Sequence, residues 1–561
     1  MANNVTLANF CGGSNKYSDA KLIDFERSIN MYAEKNEGDN KYATYHMRPL
    51  EGTRLLSSIV NALGGCRGLY LSSTGPDGVP VLYGAFGGGV YRIKNERDSE
   101  GMLKYIKIGD VVSGSSPISL TESGGEPSCL VVADGFTLQA AVLTKSDTDM
   151  VLQTVADVPE DPLTGEVVQP EYALYAGNRV VISNKGSDYF FFTNLYGING
   201  TDDIHAFSQS YTKYQYQKND GSWVLMESNT YTAPTVDTYV SGTLTTDSDW
   251  FNDLNYQKAE FSADTIKAMI AVDYLMYVFG AKSYQIYSVQ DNADIPFTSE
   301  GKASSNIGIK APRSAAALGS SVYFLGAGDL GENAIFKASS SGLSRLSPSW
   351  LEREISKLNN SEDAVGFAYS KDGHSFYVLS FPTADITYTY DEATLQWHER
   401  SSKDELTDSE HMWWPGFATR AYGEIVLGTF NSGNLVCLDS DKYTEYDGRL
   451  IRKVRQSPVT IQGFMPFIIN EFRLVWNTGF TKVLEDNEDG YDPRIMLQVS
   501  ANGNEFSDEI WGYGGKAGLY AGFTSWSGLG LNTFAVIRIS CTDPIPLVIS
   551  SATMRYTKAG M

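Results

Sequence analysis

The sequence predicts an all-β protein: a β-propeller of six or seven blades that carries an inserted β-rich lobe and ends in an antiparallel β-sandwich. Strand–turn–strand units recur over residues 57–440 and start about 45 to 55 residues apart, close to the ~40–50-residue period of propeller blades. The 561 residues include 34 Tyr, 26 Phe and 53 Gly, which favours strands and tight turns. Residues 441–561 lose this period and contain longer strand-like runs.

The clearest unit lies at residues 268–290. Two apolar runs, 274–279 and 284–289, flank the short segment Gly-Ala-Lys-Ser. The first run is apolar almost throughout, which is typical of a strand buried on both faces. The second alternates in polarity, which is typical of a half-exposed strand. This stretch therefore predicts a β-hairpin, and similar hairpins recur along the chain.

Six complete units and a partial seventh can be recognised. They lie near residues 68–93, 117–143, 179–193, 268–290, 315–338, 364–397 and 424–438. A meander of this size cannot bury its faces alone, whereas radial closure leaves only short, protected edges. We expect the partial unit to share its blade with N-terminal strands. A linear β-solenoid is the alternative, although its repeats would be shorter and more regular.

This pattern divides the chain into five parts. They are an N-terminal arm (1–56), a first group of blades (57–206), an inserted lobe (207–261), a second group of blades (262–440) and the sandwich (441–561). Long insertions with structure of their own are often functional, and Tyr-rich polar segments resemble contact surfaces. Our candidate partner-binding residues in the lobe are Tyr211, Tyr214, Tyr216, Trp223, Trp250 and Phe251. The equally favoured alternative is a small lobe whose aromatic side chains pack internally.

A second candidate surface is the densest basic run of the chain, at residues 447–457. It contributes Arg449, Arg452 and Arg455 as candidate partner-binding residues. Further on, Trp511, Tyr513, Tyr520 and Trp526 lie in a predicted long loop, 510–532, but are not nominated as contacts.

No motif in the sequence indicates catalysis, a cofactor or a metal site. The five histidines show no metal-ligand spacing, and His411 beside Trp413 and Trp414 indicates packing. The acidic run 485–490 imitates the start of a calcium loop, but its twelfth position is Met496 rather than Glu. The five scattered cysteines predict buried free thiols. We therefore expect a protein that is not an enzyme.

The net charge of −23 argues against tight binding of nucleic acid, because proteins that grip phosphates usually carry a basic excess. The first residues lack the basic and apolar regions of a signal peptide. No run of about 18 apolar residues predicts a membrane span. We expect a protein made in the cytoplasm that does not insert into membranes.

Several short stretches, taken in order, resemble the packaged-DNA stabilisation proteins, or tail hubs (nozzles), of short-tailed bacteriophages. They are residues 24–33 with Asn-Met-Tyr, 48–53, 271–287 with Phe-Gly and Ser-Tyr-Gln, 308–311, 321–326, 364–397 with Tyr-Asp and Trp, 540–549, and Arg555. Two features depart from the family's pattern. Leu50-Glu51 stands where Pro-Gly is usual, and the insertion at 207–261 has no obvious counterpart.

The resemblance implies a structural virion protein that forms a hexameric ring in the tail, below the portal–adaptor complex. It further implies a central channel for genomic DNA without specific binding, and contacts to tailspikes or tail fibres and to a terminal plug or needle. Such a protein would help retain packaged DNA and release it on ejection. The alternative functions are a glycan-binding or glycan-cleaving propeller of a virion. Asp-Gly turns at 370–376 and 500–506 resemble shortened Asp-box hairpins, which are structural turns.

Overall fold

A computed structural model describes most of the chain and is almost entirely β-structure. The described residues are 3–7, 10–18, 25–38, 44–59, 64–124, 128–155, 158–193, 214–217, 223–225, 239–241, 250–259, 264–290, 296–301, 305–327, 333–404, 409–481, 483, 485 and 488–559. Among them, the one α-helix is Ser349–Ser356, and no helix is long and apolar enough to cross a membrane.

Seven antiparallel units, here called blades 1 to 7, follow one another along the described part of the chain; six are separate small sheets, and blade 6 is one end of a twelve-stranded sheet. Blade 1 contains Cys66–Leu71, Leu82–Phe86, Gly89–Arg97 and Leu103–Asp110; blade 2 contains Ser119–Glu122, Cys129–Ala133, Leu138–Val142 and Gln153–Thr154; blade 3 contains Pro170–Ala176, Arg179–Asn184, Tyr189–Thr193 and Phe251–Lys258. Blade 4 contains Ile266–Val272, Leu275–Gly280, Tyr284–Val289 and Phe297–Ser299; blade 5 contains Gly308–Ile309, Ala316–Leu318, Ser321–Ala327, Asn333–Ser339 and Gly342–Arg345. Blade 6 contains Val365–Lys371, His374–Phe381, Ile386–Asp391 and Gln396–Lys403; blade 7 contains Pro415–Ala421, Glu424–Thr429, Asn434–Asp439 and the N-terminal strand Gly52–Ser58.

Buried side chains join each blade to the next, and the last junction closes a ring. The inner strands contact one another in order from blade 1 to blade 7, and the inner strand of blade 7 contacts that of blade 1. Leu56 packs in this last junction with Phe86 and Val426. The predicted β-propeller is confirmed, with seven blades. The partial seventh unit is completed by a strand from the N-terminal region, which closes the ring.

Local turn chemistry explains why the hairpins form where they do. In blade 6, Asp372 and Gly373 adopt φ of 50° and 82° between two paired strands. Two successive left-handed residues match the twist of a two-residue β-hairpin, and Asp-Gly is a favoured pair there. The following strand, His374–Phe381, is buried along nearly its whole length, as expected for a strand inside a blade.

The inserted lobe lies within blade 3 rather than between blades 3 and 4. Phe251–Lys258, which the sequence analysis placed in the lobe, pairs with Tyr189–Thr193 as the outermost strand of blade 3. The lobe therefore interrupts the blade before its last strand. Its described part is a three-stranded sheet with the order Trp223–Leu225, Tyr214–Gln217, Tyr239–Ser241.

The C-terminal sandwich takes strands from both ends of the chain. Sheet I has the order Met31–Lys35, Tyr45–Pro49, Ile549–Lys558, Phe467–Trp476, Phe523–Ser527, with Asn3–Thr6 and Leu531–Asn532 paired at its sides. Sheet II contains Phe25–Ile29, Lys453–Gln456, Phe534–Cys541, Arg494–Ser500 and Ile510–Tyr513, with Lys16–Tyr17, Thr460–Ile461 and, beside blade 6, Glu410–Met412. A parallel bridge between Ile29 and Glu399 joins sheet II to the outer strand of blade 6, so the sandwich extends outward from that blade.

A buried ion pair fixes the N-terminal arm to sheet II. The guanidinium of Arg455 contacts the carboxylate of Glu26, and both side chains are almost completely excluded from solvent. Arg455 also donates to the carbonyl of Phe10 (2.6 Å) and to the hydroxyl of Ser28 (2.8 Å). Charges buried this deeply require compensation, which the pair and its hydrogen bonds supply. One side chain thus holds three points of the N-terminal arm.

All five cysteines are buried and remain thiols rather than disulfides, as the sequence predicts. Burial raises the pKa of Cys11 and of Cys66 to about 12, and that of Cys437 and of Cys541 to about 11. Because the thiolate is the reactive form, these thiols are protected against modification.

Buried His398 in blade 6 should make stability depend on pH. Burial lowers the pKa of His398 well below its ordinary value, and the charges of Arg400 and His374 lower it further. The unfolded chain therefore binds a proton at His398 that the folded chain does not bind. We expect the contribution of His398 to be complete above about pH 6.5 and to be lost progressively as the pH falls below that value.

The measurement is hydrogen exchange of the blade 6 amides in increasing urea, repeated at several values between pH 5 and 7.5. It gives the urea concentration at the midpoint of unfolding for each pH. His398→Gln should flatten this pH dependence relative to the wild-type chain. An unchanged slope in the variant would show that other groups control it.

Candidate interaction surface

The outer edge of the sandwich is formed by one strand from each sheet. Ile510–Tyr513 ends sheet II, and Phe523–Ser527 ends sheet I. Successive side chains of a strand point to opposite faces. Gly512 therefore faces inward, where a Cβ atom would approach Trp526 to 2.6 Å, while Trp511 and Tyr513 point outward and are exposed.

Side-chain hydrogen bonds link the two sheets along this edge. The Trp526 indole nitrogen donates to the carbonyl of Ile510 (2.9 Å). The Thr524 hydroxyl donates to the carbonyl of Tyr513 (3.0 Å) and accepts from the indole nitrogen of Trp476 (3.0 Å). These bonds satisfy backbone carbonyls that an edge strand would otherwise offer to another chain. Two carbonyls of this edge are thus already bonded within the chain.

Two loops extend the exposed surface at the same end. The rings of Phe480 and Tyr520 lie 5.0 Å apart, centroid to centroid. Gly479, with φ of 76°, lies against Leu519, whose backbone would be 2.8 Å from a Cβ at that position. Only glycine fits this combination of left-handed backbone and close approach. The contact holds three large apolar side chains together at the surface.

Arginine side chains cover some of these rings. The guanidinium of Arg494 lies 5.1 Å from the ring centre of Trp511 and 5.8 Å from that of Tyr513. Arg473 lies 4.3 Å from the ring centre of Phe523 and pairs with Glu471 at 3.0 Å. Cation–π contacts of this kind fix ring orientation. The aromatic side chains are therefore presented as an ordered surface.

We call the exposed apolar residues at this end of the sandwich patch A: Phe480, Trp511, Tyr513, Leu519, Tyr520 and Phe523. Trp511 and Tyr513 face outward from sheet II, and Phe523 faces outward from sheet I. The six residues of patch A are 41–68% exposed. Of the 20 exposed large hydrophobic residues in the described part of the chain, 11 lie between residues 464 and 531, so the concentration is specific to the sandwich. Exposed apolar clusters of this kind mark interaction sites.

A second exposed apolar cluster, patch B, consists of Phe464, Met465, Ile468 and Leu531, which are 37–66% exposed. Ile468 and Leu531 are direct cross-strand partners, and the ring of Phe464 lies 6.1 Å from that of Phe534. Patch B lies at the start of the strand Phe467–Trp476, and patch A lies at its end. Along this strand, Ile468 of patch B and Val475, the cross-strand partner of Phe523, are seven residues apart, which corresponds to roughly 23 Å at about 3.3 Å per residue.

The predicted basic run does not form a basic surface. Arg455 and Lys453 are buried, the first against Glu26 and the second with its ammonium donating to the carbonyl of Asp543 (2.9 Å). Arg449 pairs with Asp447, and Arg452 pairs with Glu410 at 2.7 Å. The positive charges of the run are compensated within the chain. Of the three candidate arginines, only Arg449 and Arg452 are therefore accessible to a partner, and each already pairs with an acidic residue of this chain.

The candidate contacts in the inserted lobe fall into two groups. Trp250 and Phe251 are buried in the core between blades 2 and 3, so the folded chain does not offer them to a partner. Tyr214 and Tyr216 lie on one short strand and Trp223 on its neighbour, and the structure describes no more of them than this placement. Tyr211 lies outside the described residues.

A turn before the inner strand of blade 5 contacts the blades on both sides of it. The Tyr172 hydroxyl of blade 3 donates to the carbonyl of Pro312 in blade 5 (3.1 Å), and the guanidinium of Arg313 lies 4.2 Å from the Tyr172 ring centre. Tyr377 of blade 6 donates to the carbonyl of Ser314 (2.8 Å). The turn Pro312–Ser314 thus links three blades. A DNA duplex, whose major groove alone is about 12 Å wide, cannot pass between these groups.

Three side chains on the surface of blade 6 form a hydrogen-bonded series. The Ser409 hydroxyl lies 3.0 Å from Nε2 of His411, whose Nδ1 lies 2.6 Å from Asp385. The order is that of a serine hydrolase triad, in which the carboxylate is buried. Here the Asp385 side chain is 42% exposed and also accepts from the backbone nitrogen of Met412 (2.8 Å). The series therefore ties a turn to a neighbouring strand.

The ring of His411 also stacks on Trp414, at 5.6 Å, which agrees with the packing role predicted for it. In the described part of the chain, no group of three or more His, Cys, Asp and Glu side chains has the arrangement of a metal site.

Residues 143–443, more than half of the chain, match the model of a protein family described as "Bacteriophage P22 Gp10, beta-propeller". The chain belongs to this phage stabilisation family. The matched region begins at the end of blade 2 and ends just after the third strand of blade 7. The predicted family and fold class are confirmed, and the chain is a structural β-propeller protein of a bacteriophage.

Comparisons beyond the phage stabilisation family give remote likenesses. No curated protein sequence matches the chain. The N-terminal domain of Nup159 covers 76% of this chain and 99% of its own, at 10% identity and a TM-score of 0.35. A mutant sialidase of Trypanosoma rangeli covers 83% and 94%, at 7% identity and 0.29. The computationally designed protein Ika8 covers 69% and 100%, at 10% identity and 0.31. These values are too low to transfer a function.

Proposed function

We propose that this chain is the tail hub, or nozzle, of a short-tailed phage. Several copies, six by the family resemblance, would form a ring below the portal–adaptor complex. The ring would line the exit channel, retain packaged DNA and anchor tailspikes or fibres and a terminal plug or needle. The protein would be made in the host cytoplasm and located in the virion tail. Membership of the phage stabilisation family is the observation that carries this proposal.

The centre of the propeller supports a channel that lies between copies rather than within one copy. The contacts among Tyr172, Pro312 and Arg313 leave no passage for a duplex through the blades. The closed ring of seven blades is instead suited to serve as one rigid wall segment. Several such segments arranged around an axis would enclose a wider passage than any single propeller.

The negative net charge is consistent with a channel through which DNA slides. A protein that binds DNA by neutralising phosphates releases condensed counterions, and this release supplies the affinity. A chain with 67 acidic and 44 basic residues, whose predicted basic run is internally paired, offers little of this attraction. We therefore propose that genomic DNA passes without specific binding and that the chain does not insert into membranes.

The surfaces that project from the propeller are the proposed contacts with other tail proteins. The inserted lobe interrupts blade 3 before its outermost strand, so it is attached at the periphery of the blade. Tyr211, Tyr214, Tyr216 and Trp223 of the lobe stay proposed contacts with an adaptor, fibre or plug protein. Trp250 and Phe251 are left out of this proposal because they are buried.

Purified particles of the phage that encodes the chain provide the test. If the chain is a hub, its peptides should remain with those of the portal and adaptor proteins when tails are detached from heads and isolated. Peptides that stay with the capsid shell, or are absent from particles, would contradict the proposal.

A further inference from the structure

We propose that Arg67 and Arg313 form a binding site for a phosphate group at the end of the propeller ring where the inner strands begin. The site is built from residues of one chain, so it goes beyond the proposed function and does not depend on the proposed ring of copies. Its support comes from the positions, hydrogen bonds and charges of the two arginines.

The beginnings of the inner strands of blades 1, 2 and 3 lie side by side. The backbone nitrogen of Ile118, just before the inner strand of blade 2, donates to the carbonyl of Arg67 in blade 1 (2.8 Å). The hydroxyl of Ser119 then donates to the carbonyl of Ala173 in blade 3 (2.8 Å). Arg67 therefore lies at the same end of the ring as the start of blade 3.

Arg313 precedes the inner strand of blade 5 and extends to this same end. Its guanidinium lies 4.2 Å from the ring centre of Tyr172, and its Nη2 lies 3.5 Å from the carbonyl of Glu171. Both residues belong to the inner strand of blade 3, and blade 4 separates blades 3 and 5 in the ring. Arg313 thus reaches past blade 4 to the strand beginnings where Arg67 lies.

Arg67 is held in place by three carbonyls. Its Nε donates to the carbonyl of Ser116 (2.7 Å), and its Nη1 donates to those of Gly87 and Val112 (2.5 Å each). The residue is only 3% exposed, yet Nη2 donates no hydrogen bond within the described part of the chain. Exposed Gly114 lies over Nη2, where a Cβ atom would be 3.8 Å away. Because glycine has no Cβ, Nη2 is left open to a ligand.

No carboxylate pairs with either guanidinium. Among the residues that the structure describes, neither Arg67 nor Arg313 forms an ion pair. The acidic side chain of Asp134 lies in the same region, but its oxygens accept from the backbone nitrogens of Val112 (3.1 Å) and Thr137 (2.7 Å). This carboxylate therefore bonds to the backbone rather than to the arginines.

The two positive charges also repel each other. Burial lowers the pKa of Arg67, the charge of Asp134 partly offsets this effect, and the charge of Arg313 lowers the pKa further. An arginine side chain nevertheless stays protonated in a protein. The folded chain therefore keeps two neighbouring cations that a bound anion would stabilise.

A phosphate group is the ligand that best matches two guanidinium groups. Their planar arrays of donors fit the geometry of phosphate oxygens, and charge-assisted hydrogen bonds of this kind are strong. A phosphate group carries a charge of about −1.5 to −2 at pH 7, which balances two arginines. A chloride ion or a single carboxylate would balance only one. Ser113 and Ser115 are exposed in the loop that contains Gly114 and supply hydroxyl groups beside the site.

Calorimetric titration of the purified full-length chain with inorganic phosphate tests the site. At constant ionic strength, and in a buffer without other oxyanions, the wild-type chain should bind one phosphate ion. Arg313→Gln should weaken this binding about tenfold or more, because one charged donor group is lost. Arg313→Lys should recover part of the loss, since the charge returns without the planar donor array. Arg67→Gln should weaken binding at least as strongly; Arg313→Gln tests the site even if that variant does not fold.

The matched control is Arg97→Gln. Arg97 is exposed in blade 1, at the far end of the strand Gly89–Arg97 from the turn that contains Gly87. This variant removes the same charge and should leave phosphate binding unchanged. Equal weakening by Arg97→Gln and Arg313→Gln, or the absence of saturable phosphate binding, would overturn the inference and leave the hub proposal intact.

A short DNA duplex identifies the source of the phosphate group. It is added to the phosphate-loaded chain at an equal concentration of phosphate groups. If inorganic phosphate stays bound, the site takes the free ion. If the duplex displaces it from the wild-type chain, the site takes backbone phosphates, and DNA would then not pass without binding. Either result supports the site, because both require Arg67 and Arg313.

Discussion

Replacing Arg455 by methionine should lower the free energy of unfolding of the sandwich by about 3–5 kcal/mol. The substitution removes the cation from a pair in which both members are buried, so the Glu26 carboxylate stays in the core without its main compensation. It also removes the hydrogen bonds to the carbonyl of Phe10 and the hydroxyl of Ser28. The measurement is the urea dependence of hydrogen exchange in Phe25–Ile29 and Lys453–Gln456.

Two comparisons isolate the charge effect. The double variant Glu26→Gln with Arg455→Met should recover much of the loss, because no buried charge is then uncompensated. Lys104→Met, which breaks an exposed pair with Glu96, should change stability by no more than about 0.5 kcal/mol. If the double variant were as unstable as Arg455→Met, hydrogen bonding and packing rather than charge would account for the effect.

Truncating Leu56 to alanine should destabilise the closure of the propeller by about 2–5 kcal/mol. Leu56 is completely buried in the core between blades 7 and 1, and the change leaves a cavity where the N-terminal strand seals the ring. The loss should appear first as faster exchange of amides in Gly52–Ser58 and in the outer strands of blade 7. Its other effect should be a lower urea midpoint for the propeller.

Ser58 provides the control on the same strand, because its side chain is exposed. Ser58→Ala should leave exchange unchanged within about 0.5 kcal/mol. Equal and small effects of both substitutions would mean that the N-terminal strand is not required to hold the ring closed.

The propeller could be predicted because its pairings are local. Each blade consists mainly of adjacent strands joined by short turns, such as the Asp372-Gly373 hairpin, and these leave a repeating pattern in the sequence. The pairings that join distant parts left no such pattern. Asn3 is opposite Tyr556, and Gly52–Ser58 pairs with Asn434–Asp439. The assignment of N-terminal strands to the sandwich therefore required the structure.

The difference between local and distant contacts also explains why some of the predicted partner-binding residues are buried. A run of arginines indicates a basic surface only if the side chains are exposed. Arg455 is buried and paired with Glu26, which lies 429 residues away in the chain. Of the patch A residues, the sequence analysis singles out Trp511, Tyr513 and Tyr520 and predicts a loop for them, whereas Trp511 and Tyr513 lie on a strand. In a strand, the residues on either side of Gly512 point to the same face, so Trp511 and Tyr513 share one outward face. This became clear only once Ile510–Tyr513 was seen to pair as a strand.

The central claim, that the chain forms the hub ring of a phage tail, is tested most directly by its copy number. Purified particles of the source phage should be digested and quantified by mass spectrometry against isotope-labelled peptides of this chain and of the portal subunit. The proposal predicts a copy number half that of the portal, because the family resemblance implies six copies of this chain on a twelve-fold connector. Absence from particles, or a ratio far from one half, would contradict it.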